Sequence, residues 1–443
     1  TMDRREVIKL GAAFVIGLAA GFGAGYMSKP SVGVVKEGEV VETITPRRTE
    51  AKKREFKLGV VTFLSGAASI FGVPSANMAR LIVDLINANG GINGAKVVMD
   101  VRDEAGGADK MVALYRELTQ LAGVDAYVGL VSSADCLAVA SVAEELGSTL
   151  TVFYDCATKR LVDDNMMRKV VFRTGGTTVV DGASLARFVL EVKPDVKTVV
   201  GLNQDYAYGR DEWHDFITVL KRLKPDVEVL DELWTPLFTA DYSAQISKIL
   251  ALRPDIVHTS FWGPDLVNFV SQAAARGLFA TTTVAFARGE SMLQELKDTM
   301  PVGQLVEGPH YFEYPSTRFN PLNKTIVEEY FRRYGLYPPY PAYHMANAIL
   351  GVKYAYEAAS AVSGEDWPDL STVVKVFERL AYPSPGDYII MTPNHNAYRG
   401  AVVGVTANVP GYGFRLLRPF KYIPPTEVNP PVGVRSDEWF KSI

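Results

Sequence analysis

From residue 56 onward the apolar positions follow two alternating rhythms. Short apolar, β-branched runs at 57–63, 96–101, 126–131 and 149–153 are separated by the longer stretches 74–89, 108–122 and 134–146. In those longer stretches apolar residues recur every three or four positions. Met78, Leu81, Ile82, Leu85 and Ile86 fall on one helical face, and Gly90-Gly91 ends that helix. The alternation restarts at Asp181. It predicts helices at 181–191, 210–223, 242–252 and 265–276, with strands at 198–202, 227–233, 255–260 and 282–286. Strands spaced by helices of this length form parallel sheets covered on both faces. The fold class is therefore α/β, with two doubly wound parallel-sheet lobes linked through 172–178. Beyond Pro309 the pattern turns helical at 320–334, 342–362 and 370–380, and ends in strand-like segments at 399–405 and 413–422. The proline-rich stretch 424–443 is expected to wrap onto the body or fray.

The N-terminal residues follow neither rhythm. Leu10 to Ser28 carry no charge and follow Arg4, Arg5 and Lys9. A bilayer-spanning helix needs about 20 apolar residues. The basic flank would stay in the cytoplasm, which puts the remaining chain outside. The segment around Arg4-Arg5 also resembles a twin-arginine export signal. No cysteine follows the apolar run and no clear small-residue cleavage site follows Met27, so an uncleaved membrane anchor is expected at 1–29. Residues 30–55 mix Val, Glu, Thr, Pro, Lys and Arg without a period and are expected to be a linker.

Composition narrows the function classes. Of 443 residues, 48% are hydrophobic and 22% charged, which is ordinary globular usage. A net charge of -4 argues against a nucleic-acid binder, which would carry a basic patch or stripe. Neither catalytic nor cofactor signatures are present. The five histidines include no pair at metal-ligand spacing. No G-x-S-x-G, Walker loop or G-x-G-x-x-G occurs where its chemistry would need it. No enzyme activity, cofactor or metal is expected.

In open α/β sheets, ligands bind outside the carboxyl ends of the strands. Those ends carry Ser65-Gly66, Ser132-Ser133-Ala134-Asp135, Asp155-Cys156-Ala157-Thr158, Asp205-Tyr206-Ala207-Tyr208-Gly209, Phe261-Trp262-Gly263 and Ala287-Arg288-Gly289-Glu290. Ser132 and Asp135 also suit a helix cap. Phe71, Tyr208 and Trp262 lie beside glycines in loops, where core packing has little use for them.

At these loops the chain resembles the type I solute-binding proteins of ABC importers, in the branched-chain amino acid and amide/urea group. The resemblance rests on Lys57-Leu58-Gly59-Val60-Val61 with Ser65-Gly66 and Phe71-Gly72, and on Asp84 through Gly94. It extends through Gly129-Leu130-Val131-Ser132-Ser133, Asp205 through Gly209, Asp241-Tyr242, and Pro385-Gly386 with Pro393-Asn394-His395-Asn396. It covers about 56–424. It implies a fold of two lobes with a three-crossover hinge: 56–173 plus 310–404 in lobe 1, 174–309 plus 405–424 in lobe 2, and 425–443 as a tail. The hinge would include 174–177 and 307–311. It also implies a ligand set of Phe71, Ser133, Asp155, Cys156, Thr158, Tyr208, Trp262 and Arg288. Ser133 would grip a carboxylate, while Arg288 stands where the family places an acidic partner for the ligand ammonium.

Function is then expected to be extracytoplasmic capture of a small amino acid, amide or carboxylic acid, with an ABC permease and ATPase as partners. A sensory receptor domain acting with a signalling partner chain is the alternative. A cleft-facing Arg288 would favour an acid or neutral amide, and a cleft-facing Glu290 an amino acid. Cys136 and Cys156 follow neighbouring strands and should lie close together, either bonded or as two small buried thiols.

Overall fold

The computed structural model describes residues 54–314 and 320–443. The expected anchor and nearly all of the expected linker lie outside the described residues. The first sheet is wholly parallel, in the order β2-β1-β3-β4-β5. Its strands are β1 (Glu55–Thr62), β2 (Lys96–Asp103), β3 (Ala126–Gly129), β4 (Leu150–Phe153) and β5 (Val171–Arg173). Between them run α1 (Ser69–Ala88), α2 (Ala108–Arg116) and α3 (Ser133–Leu146). Side chains alternate across the sheet, as the period of two requires. Leu58, Val60, Val128 and Val152 pack beneath α1, while Val61, Tyr127 and Phe153 pack beneath α2 and α3. α1 is long and apolar enough to cross a membrane. Its apolar length is explained by position, because sheet 1 and a later helix cover it.

The second sheet has the order β15-β14-β10-β9-β8-β6-β7. Its strands are β6 (Thr198–Gln204), β7 (Glu228–Thr235), β8 (Ile256–Thr259), β9 (Thr283–Phe286), β10 (Leu305–Gly308), β14 (Ala401–Ala407) and β15 (Leu416–Ile423). β7 to β10 are parallel to β6, while β14 and β15 pair antiparallel. The parallel sheet therefore carries an antiparallel edge, a common arrangement, because β14 turns straight back into β15. Helices α4 (Thr178–Val192) and α5 (Ala207–Leu223) cover one face, and α6 (Ser243–Leu252) and α7 (Gly263–Ala275) the other. The tail packs back onto the α4–α5 face and buries Val428, Trp439 and Phe440.

After β10 the chain returns to the first sheet as α8 (Pro321–Tyr334), α9 (Tyr340–Ser363) and α10 (Leu370–Phe377), with α8 and α9 packed on α1. A small sheet of β11 (Ala381–Ser384), β12 (Asp387–Met391) and β13 (Ala397–Tyr398) follows. The chain passes between the two large sheets three times: at 174–177, after Gly308, and at Arg399-Gly400. The third passage falls a few residues ahead of the 404/405 division expected, because β14 begins at Ala401.

Two glycines set how closely helices approach strand ends. A Cβ on Gly72 would lie 2.0 Å from the Phe63 carbonyl oxygen, and one on Gly209 2.0 Å from the Gln204 carbonyl oxygen. Each glycine directly follows an aromatic residue, Phe71 or Tyr208. Gly209→Ala is therefore expected to push α5 off β6 and cost about 2–3 kcal/mol, in the range of overpacking. Chemical denaturation checks it; a loss under about 0.5 kcal/mol would mean the helix shifts freely.

Candidate functional site

The strand order reverses beside β1 in the first sheet and beside β6 in the second. Such switch points are where open α/β sheets receive ligands. Here the loops from both sheets meet. They enclose a narrow, nearly filled cleft, with a cavity volume of about 10 Å³, lined by Phe71, Ser133, Asp155, Tyr208, Trp262 and Arg288 together with Val131, Ala157, Tyr206 and Tyr340. Aromatic rings from the two sides touch: Phe71 meets Trp262 edge-on at 5.2 Å between centroids, and on its own side meets Tyr340 at 5.7 Å. The Trp262 indole N–H donates to the Tyr206 hydroxyl at 2.8 Å.

Sharp bends at the strand ends build this meeting point. Leu130, Cys156 and Arg288, just past β3, β4 and β9, have φ of 76°, 50° and 55°. Non-glycine residues held in this region carry strain and cluster at ligand clamps.

One buried guanidinium organises the floor. Arg288 Nε donates to Asp181 Oδ2 at 2.6 Å, Nη1 donates to Asp155 Oδ1, and its backbone N–H donates to Glu307 Oε2 at 2.8 Å. His344 Nδ1 lies 3.3 Å from Asp155 Oδ1. Burial works to raise the Asp155 carboxyl, but Arg288 and His344 outweigh it and hold Asp155 below the usual carboxylate range. Burial raises Asp181 to about 6 against the pull of Arg288, and lowers His344 to about 4 despite Asp155. Glu307 is driven well up by burial. At neutral pH the floor therefore sets one cation against two carboxylates. Arg288 Nη2, Asp155 Oδ2 and the Tyr208 hydroxyl have no hydrogen-bond partner among the described residues.

Six of the eight residues expected to bind line the cleft. Cys156 and Thr158 stand behind it. Cys156 is bonded to Cys136, with 6.1 Å between Cα atoms, so the bonded alternative is the one observed. Thr158 donates its hydroxyl to Asp211 at 2.5 Å, toward α5, and its backbone N–H to the Ser133 hydroxyl at 3.2 Å. Both side chains turn away because the αL bend at Cys156 reverses the chain after Asp155. Ser132 caps α3, as its residue type suggests. The Glu104 carboxylate accepts the N–H groups of Val131 and Ser132 at 2.8–2.9 Å, so the donors just ahead of α3 are already used. Ser133, accepting from Thr158, keeps its own proton for a further acceptor.

Glu290 does not face the cleft. Its Oε2 accepts the Tyr340 N–H at 2.8 Å, and burial raises its carboxyl to about 8. Asp205 pairs with Arg210 at the surface. Neither supplies a counter-charge. Because the folded state holds a proton on Glu290 that the unfolded chain releases near 4.5, its contribution is complete below that value and is lost as pH rises toward 8. Glu290→Gln should match the parent protein at pH 5 and exceed it above pH 8, by on the order of 3–5 kcal/mol. Melting curves at both pH values test this, and parallel curves for the two proteins would refute it.

Tyr206, Tyr340 and Asp181 belong to the site without having been singled out by residue. Tyr206 lies inside the aromatic loop already marked. Asp181 had one signal, a lone acid within the apolar run Val179-Val180-Asp181-Gly182-Ala183. Tyr340 is brought in only by the return of α9.

Two facing sheets with a closed cleft at their switch points define a bilobal solute-binding protein. The chain belongs to the periplasmic binding protein family, whose match spans residues 55–408. It is a solute-binding protein of the kind that serves ABC importers, and the family places it outside the cytoplasm. It is 26% identical over 322 residues to Leu/Ile/Val-binding protein homolog 7 of Brucella abortus, covering 70% of this chain and 78% of that protein. It is 25% identical over 275 residues to the leucine-specific-binding protein of Salmonella typhimurium, covering 62% and 71%. Among solved structures, a Rhodopseudomonas palustris ABC transporter solute-binding protein in complex with benzoate superposes with a TM-score of 0.72 at 17% identity, covering 82% of this chain and 96% of that one. A leucine-binding protein of Thermotoga maritima does so with 0.70 at 22%, covering 84% and 99%.

Proposed function

We propose that the cleft takes a small amino acid with an apolar side chain, or an amide of that size, and that the protein hands it to an ABC permease and its ATPase. The observation that carries this reading is the pairing of Arg288 with both Asp155 and Asp181. A lone arginine would call for an acid. This one is already balanced, and the unpartnered Asp155 Oδ2 offers an acceptor for an ammonium or amide N–H. A buried ammonium needs such a partner. Ser133 and Arg288 Nη2 supply donors for the carboxylate or carbonyl oxygen, and Phe71, Trp262 and Tyr340 cover the apolar part. The names of the Brucella and Salmonella relatives agree with this ligand class. The two sheets with their helices would close as lobes about the three passages, and the apolar segment at 10–28 would anchor the body outside the membrane.

Calorimetric titration with leucine, isobutyramide and 4-methylpentanoate tests the reading. Leucine or the amide is expected to bind, and the acid lacking the amine to bind at least ten-fold more weakly. Asp155→Asn should weaken leucine by about 2–3 kcal/mol, the cost of removing a charged hydrogen-bond partner. Tighter binding of the acid than of leucine would favour an anionic ligand instead.

A further inference from the structure

Beside the first passage between sheets lies a second cavity, with a volume of about 40 Å³. Its walls come from the first passage (Arg173, Thr177), the turn before β13 (Thr392, Asn396) and the proline-rich tail (Pro431, Val434). Arg173 is fully buried. Its Nε donates to Asn396 Oδ1 at 2.8 Å, and its Nη1 to the carbonyl oxygens of Cys156 and Thr158 at 2.7 Å each. All these acceptors are neutral. Its Nη2 has no partner among the described residues.

Of the other charged groups at this cavity, Lys159 is paired and Asp163 is hydrogen-bonded by neutral donors. Lys159 Nζ meets Asp215 at 2.7 Å and Asp437 at 3.2 Å. The Asp163 carboxylate accepts the backbone N–H and the hydroxyl of Ser436 at 3.0 and 2.5 Å. Arg173 is left with neutral hydrogen-bond partners only; the carboxylates of Asp181, Asp163 and Asp155 act on it through space without bonding to it, and a buried cation of this kind gains from an anion that does reach it. Burial, then the nearby charge of Arg288, lowers its guanidinium to about 9 against the pull of Asp181, Asp163 and Asp155. A multiply charged anion would meet Asp163, so the fitting partner is small and singly charged.

We propose that this cavity is a second ligand site, in which Arg173 holds a small monovalent anion, a carboxylate of acetate size or a halide. The site would bear on the cleft. Arg173 ties the first passage to the turn ahead of the third through Asn396, and its carbonyl partners Cys156 and Thr158 directly follow Asp155, which grips Arg288. An anion in place would stiffen that loop and the passages together.

The test is thermal melting of the full chain at constant ionic strength, with sodium gluconate replaced stepwise by chloride, bromide or acetate. A saturable rise in melting temperature is expected with at least one of these ions, and Arg173→Gln should abolish it. Which ion acts separates a halide site from a carboxylate site. Bromide-soaked crystals of the parent protein should show anomalous density beside Arg173. Should Arg173→Gln fail to fold, the bromide density decides alone. No saturable rise with any ion and no density in this cavity would overturn the proposal, as would density found only beside Arg288 in the cleft.

Discussion

Arg288→Met is expected to abolish ligand binding and to lower stability by about 3–5 kcal/mol, the cost of breaking a buried ion pair from one side. Asp155 and Asp181 would be left buried without their cation, and both carboxyls would rise and take up protons. The sign of the pH dependence follows. In the parent protein Asp155 sits below its ordinary value, so its contribution is present above the unfolded carboxylate value and lost as pH falls through the lower folded one. In the variant that contribution is gone, and the gap to the parent should narrow on acidification below about pH 4. Arg288→Met combined with Asp181→Asn should recover part of the stability and none of the binding. Urea denaturation at pH 3 and pH 7 with calorimetry on the same samples measures all of this. Binding that survives in the single variant would show that the floor of the cleft lies elsewhere.

Removing the disulfide is the second large effect. Cys136 lies in the first turn of α3, and Cys156 beside Asp155, 20 positions apart in the sequence. Closing a loop of that length restricts the unfolded chain by about 3 kcal/mol. Cys136→Ala with Cys156→Ala should lose about that amount, and reductant should lower the melting temperature of the parent but leave the variant unchanged. Because the bond pins the loop that carries Asp155 to the helix that carries Ser133, affinity should fall as well. A parent protein indifferent to reductant after unfolding and refolding would contradict this.

The α/β alternation was legible because each buried strand reads as a continuous apolar run, each helix as a three-four period, and glycines mark the ends. β5 was not readable as a strand, since three residues are too short to show a period, and β10, with four, was missed as well. In β10, the buried Glu307 breaks the apolar run. The small sheet β11 to β13 escaped too: β13 has two residues, and Pro383 interrupts β11. At the site, the aromatics beside glycines and the serine at a strand end announced themselves. The charge balance did not. Arg288 meets Asp181, 107 positions earlier, and Asp155, 133 positions earlier, and a sequence gives no sign of which charges a fold will bring together.

The two aromatic–glycine pairs bear on how such a receptor could change its preference. Phe71-Gly72 and Tyr208-Gly209 are the same device on opposite walls: a ring that faces the solute, and next to it a residue whose missing side chain lets the helix lean on its strand. The angle at which each ring enters is thus set from behind, by the spacing of backbone against backbone. Selection acting on the packing around Phe63 or Gln204 could turn a ring by a few degrees while every residue that touches the solute stays the same. Receptors with identical linings could then prefer different molecules, and a comparison of lining residues alone would miss the cause.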